Sequence, residues 1–151
     1  MAAAFEHDIE PNLEHDIEPN RTDLLPWWIR YCNWLFMLGI ITVPIAFIMT
    51  LTGSDNVYFD AYGITARDVF SPAGIILASV ILFNAFTAYA LLTENDWAID
   101  IAIVDALIGI TLCSYAMSAA PGIFRYELIP LALFLGKLLG IRTPWAQLKN
   151  K

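Results

Sequence analysis

Along this chain, long stretches in which almost every position is apolar alternate with short polar breaks. A helix apolar on all faces over about 20 residues is the length that crosses roughly 30 Å of hydrocarbon. Four stretches meet that description: Trp27 to Leu51, Pro72 to Leu92, Trp97 to Ala120, and Phe124 to Ile141. The fourth is the shortest and carries Pro130 and Lys137. Their limits are punctuated. Ser71-Pro72 reads as a cap followed by proline at the first helical position, Asn95-Asp96 as a turn, and Pro121-Gly122 as a break. Pro44 predicts a kink inside the first stretch, tolerable where neighbouring helices satisfy the freed carbonyl. Trp27, Trp28, Trp34, Trp97 and Trp145 fall near the ends, as an interfacial aromatic belt requires. The expected fold is an all-α integral membrane protein, with four transmembrane helices in an up-down bundle behind a disordered acidic N-terminal tail.

Composition agrees with that reading. Hydrophobic residues make up 58% of the 151 and charged residues 15%, against about a quarter charged in soluble domains. The net charge of −7 is uneven. Seven acids lie in residues 1–23, with Arg21 the only basic side chain there, so the remainder is close to neutral. The tail also holds a tandem duplication: residues 6–12 and 14–20 are both Glu-His-Asp-Ile-Glu-Pro-Asn, joined by Leu13. One Ile per copy is too little to build a core, and each Pro interrupts a helix. The tail is therefore expected to be solvated. Docking onto a basic partner and weak cation binding by His7, Asp8 and Glu10 (repeated as His15, Asp16 and Glu18) are lesser alternatives.

Two domains follow, a tail over 1–23 and a four-span membrane domain over 24–151. Four crossings put both termini on one side, with Arg21, Arg30, Arg142, Lys149 and Lys151, and Lys137 if it snorkels. Only Arg67 and Arg125 lie on the other. The positive-inside rule makes the shared side cytoplasmic, in a membrane expected to be the bacterial inner membrane. The 53–70 loop then faces outward, as a segment lying along the interface or as a lid for a ligand or partner.

Polar residues inside the stretches are the candidate chemistry, because an ionised aspartate at a helix centre costs about 2.5–3.5 kcal/mol even on insertion scales. Antiparallel pairing about a turn between Glu94 and Asn95 sets Asn84 level with Asp105, and Tyr89 level with Asp100. The same construction about Pro121 brings Lys137 to the depth of Asp105. Asn84, Asp105 and Lys137 thus form an expected intramembrane polar cluster, with Tyr89 and Asp100 as a second, shallower pair. Asp105 serves either as interhelical glue or as a site for a proton, ion or ligand. Small residues mark helix packing: Ala132, Gly136 and Gly140 at every fourth position of the last stretch, and Gly109 in the third. Packing within the chain is the expectation, and a second copy the alternative.

Catalytic signatures are absent from the stretches, which hold no histidine, no paired cysteines and no phosphate-cradling glycine loop. No cofactor, no metal site, no catalytic residue and no nucleic-acid partner is expected. The leading expectation is a small non-enzymatic accessory, assembly or interaction subunit, meeting the lipid bilayer and a protein partner through its tail or the 53–70 loop. The alternative is a small proton- or cation-coupled transporter or channel using Asp105, either alone or as a homodimer; a homo-oligomer is also among the partner expectations.

Overall fold

The structure, a computed structural model, describes residues 20–53, 58–120 and 124–148. The duplicated heptapeptides fall almost wholly outside the described residues. Four helical stretches are long and apolar enough to cross a membrane: Trp27–Leu51, Pro72–Leu92, Ala98–Ala119 and Leu128–Gln147. The first is divided into α1 (Trp27–Met37) and α2 (Gly39–Leu51); the others are α3, α4 and α5 in order. Between α2 and α3 lies a hairpin of β1 (Phe59–Ala61) and β2 (Ile64–Ala66). Many large apolar side chains remain on the outside, among them Leu51, Ile75, Leu107 and Leu133. A lipid surround suits such a surface; water does not.

The first span is divided at Leu38, six residues before Pro44. Helix α2 runs through Pro44, and the break comes at Leu38. There the Leu38 amide donates to the Leu35 carbonyl at 3.1 Å, one residue short of the α-helical partner. Packing explains the position. Gly39 lies so close to α3 that a Cβ would sit 2.6 Å from Ile81 Cγ2. The division falls where the chain approaches α3, and Pro44 lies exposed within α2.

Each end of the stack has its own fastening. Ser71 caps α3, its hydroxyl accepting from the Gly74 amide at 3.0 Å, with Pro72 at the first helical position as expected. At the opposite end a 3₁₀ turn, Arg21–Leu24, folds onto the α3–α4 turn. Arg21 donates to the Glu94 carbonyl (2.9 Å) and to Asp96 (2.8 Å), with its guanidinium 5.7 Å from the centre of the Trp145 ring. The Trp145 indole donates to the Asn95 carbonyl at 3.1 Å. This clasp explains why α5 continues six residues past the expected limit of Ile141: Trp145 is fully buried against the turn. Replacing Arg21 by Met keeps the stem and removes both charge-assisted bonds. Discounted for the half-exposed Asp96, the loss is about 2 kcal/mol, read as a lowered melting midpoint in detergent. An unchanged midpoint would show the clasp to be idle.

The helices pack in chain order. Helix α3 touches α1, α2 and α4, and α4 touches α5. The inner face of α5 is the row Phe134, Leu138, Ile141 and Trp145, which joins Leu91, Ala98 and Ala102 in the larger apolar core. First and last helices meet where Trp28 and Phe134 stand edge to face, 6.4 Å between centroids. Elsewhere they flank a cavity.

Candidate functional site: a buried polar triad in an apolar cavity

Three residues from three elements meet beside that cavity. Antiparallel α3 and α4 bring Asn84 and Asp105 level, and both are buried, at 6% and 5% exposure. The amide orientation follows from its neighbours. Asn84 Nδ2 donates to the Asp105 carboxyl at 2.7 and 3.1 Å, and Asn84 Oδ1 accepts from the Tyr62 hydroxyl at 2.6 Å. Hydroxyl, amide and carboxyl form one directed chain, in which each bond polarises the next.

Tyr62 arrives from the hairpin. Asp60 pairs with Thr65 and Ala61 with Ile64, which leaves Tyr62-Gly63 as a two-residue turn. Both have positive φ, 55° and 75°, the combination of a type I′ turn. A tyrosine there costs roughly 1 kcal/mol or more and persists only where surroundings over-determine it. They do so here. The ring lies on Gly109 of α4, where a Cβ would come within 2.9 Å of Tyr62 Cε1. Arg125 fastens the other half of the turn, its Nη2 donating to the Gly63 carbonyl at 3.2 Å. Burial pushes the Tyr62 phenol up to about 12, so it stays a proton donor.

The cavity has a volume of about 540 Å³, inside the roughly 300–1,000 Å³ range of small-molecule sites. Its walls are largely apolar: Trp28 and Phe36 of α1, Ile81 of α3, Leu131 and Phe134 of α5. Asn84, Asp105 and Tyr62 line it, together with the carboxyls of Asp60 and Glu127. Chemically this is an apolar chamber with acceptor oxygens and no lining lysine or arginine. Among the described residues, no three His, Cys, Asp or Glu groups converge as a metal site.

Not every expected residue joins. Lys137 is exposed on α5 because the inward row passes through Phe134 and Leu138 instead. Tyr89 is also exposed, and Asp100 pairs with Arg142 at 2.8 Å rather than with Tyr89. Ala132, Gly136 and Gly140 face outward, with nothing within 4 Å of where a Cβ would stand on either glycine. Gly109 does pack, against Tyr62 and Leu131. Sequence reasoning missed Tyr62, although Tyr62-Gly63 between two short apolar-containing strands is a hairpin signal. It missed Asn33 as well, which is 1% exposed with neither amide atom paired.

In comparisons with known proteins, no family model, no curated protein and no solved structure matches this chain.

Proposed function

We propose that the protein is a small, non-enzymatic integral membrane protein that binds an apolar small molecule in the chamber beside Asp105. The ligand enters from the bilayer between the first span and α5, both of which line the chamber. One observation carries this reading: the chamber of about 540 Å³ has apolar walls yet encloses a buried, hydrogen-bonded carboxyl. A residue serving only as interhelical glue needs no open volume beside it. Carriage of the bound molecule across the membrane is the natural extension, with Asp105 as the coupling group.

The test is photolabelling in lipid nanodiscs with a diazirine-bearing long-chain alcohol, which is uncharged. Labelled peptides should map to chamber-lining positions of α1 and α5. Excess decanol should compete, and Thr42→Trp, which fills the chamber from α2, should abolish the labelling. Labels spread evenly over the outer faces of α2 and α4, without competition, would overturn the proposal.

A second reading, an accessory or assembly subunit, is favoured by the outward row Ala132, Gly136 and Gly140. Small residues at that spacing let another helix approach closely, and among the described residues nothing covers either glycine of the row.

A further inference from the structure

Every ionisable carboxylic group lining the chamber belongs to an aspartate or glutamate without a basic partner. Among the described residues the ion pairs are Arg21–Asp96, Arg30–Asp23 and Arg142–Asp100, all away from the chamber. Asp60, Asp105 and Glu127 are in none of them. Arg125, two residues before Glu127, donates through Nη2 to the Gly63 carbonyl. Asp105 is buried while Asp60 and Glu127 are exposed, and a buried carboxylate facing apolar walls is stabilised by opposite charge from a ligand.

Geometry narrows the class of ligand. Since these carboxyls do not converge as a metal site, they do not surround one compact ion. They are distributed along the chamber, Asp105 on α4, Asp60 on the hairpin and Glu127 at the start of α5. Aromatic rings stand among them: Trp28, Phe36, Tyr62 and Phe134. Ring faces attract a cation by about 0.5–2 kcal/mol each, more as water is removed. Carboxyl acceptors, ring faces and apolar walls together match a cation with a bulky apolar body. Asp105 can still receive it, because a carboxylate offers about four lone-pair sites and Asn84 occupies two.

We infer that the chamber's ligand is an apolar organic cation, its charged centre held by Asp105 and its approach lined by Asp60 and Glu127. This inference rests on the chamber being a binding site, as proposed above.

Two ions of the same tetrahedral shape and opposite charge test it: tetraphenylphosphonium and tetraphenylborate. Binding is measured by scintillation proximity on the immobilised full chain, with the labelled ion displaced by its unlabelled form. Saturable phosphonium binding, at least about tenfold tighter than borate, is expected for a charge-selecting carboxyl site. Asp105→Asn keeps a hydrogen-bonding side chain and should weaken phosphonium binding by about tenfold or more, while the uncharged photoprobe still labels. If that variant loses its melting transition, Glu127→Gln and Asp60→Asn, both at exposed positions, carry the test with an expected loss of about threefold each. Equal affinity for the two ions, or phosphonium binding indifferent to all three substitutions, overturns the inference. Uncharged labelling without saturable phosphonium binding overturns the charge selection alone. Absence of both overturns the chamber as a binding site.

Discussion

Replacing Asn84 by Leu is expected to destabilise the fold by roughly 2–5 kcal/mol, although the two side chains share a branched skeleton. The loss comes from what is left behind. Asn84 is both the donor to Asp105 and the acceptor from Tyr62, so a single change orphans two buried groups at about 1–3 kcal/mol each. The cost should shrink as the partners are removed. Asn84→Leu with Asp105→Leu should recover part of it, and adding Tyr62→Phe most of the rest, because an all-apolar triad leaves nothing unsatisfied. Unfolding by SDS titration in mixed micelles measures each variant. Additive losses along the series would show that the three residues act independently. The triple variant should be stable and unable to hold an organic cation, since stability and function make opposite demands on such a site.

Gly74→Val, at a buried position in the first turn of α3, is expected to destabilise the fold by on the order of 3 kcal/mol or more. A Cβ at Gly74 would overlap the Asp68 carbonyl oxygen and lie 2.8 Å from the Val69 Cα. Those are backbone atoms, so no side-chain rotation relieves the clash. The Asp68 carbonyl also accepts from the Ser71 hydroxyl at 2.6 Å, and Ser71 caps α3. Displacing 68–71 therefore undoes the cap and pulls on β2, which ends two residues before Asp68. Hydrogen exchange should report faster opening of residues 59–66 before any change in the α4–α5 core. Uniform acceleration across all helices would instead show that the hairpin has no local stability of its own.

Hydropathy alone located the four long helices, because an all-round apolar helix needs no information about its neighbours. Depth was legible too. The short α3–α4 turn fixes the register of two antiparallel helices, and that register brings Asn84 to Asp105. Direction around the helix axis was harder. Lys137 was assigned by depth, but the face α5 presents inward is decided by which row packs on α4. The same choice turned Gly136 and Gly140 outward. Least legible was Tyr62, which lies in a polar segment between helices and reaches the core by way of a strained turn. Nothing in its immediate apolar pattern marks a residue whose partners are 22 and 43 positions downstream.

The arginine clasp imposes an order of events on biogenesis. Arg21 leaves the ribosome first, yet the indole beneath it belongs to the last helix. At roughly 5–20 residues per second, the wait between the two is on the order of 6–25 s. During that interval a nascent chain with three spans already holds the Glu94 and Asp96 partners of Arg21 but lacks the ring beneath it and the indole that donates to Asn95. The clasp is therefore complete only once α5 has been made.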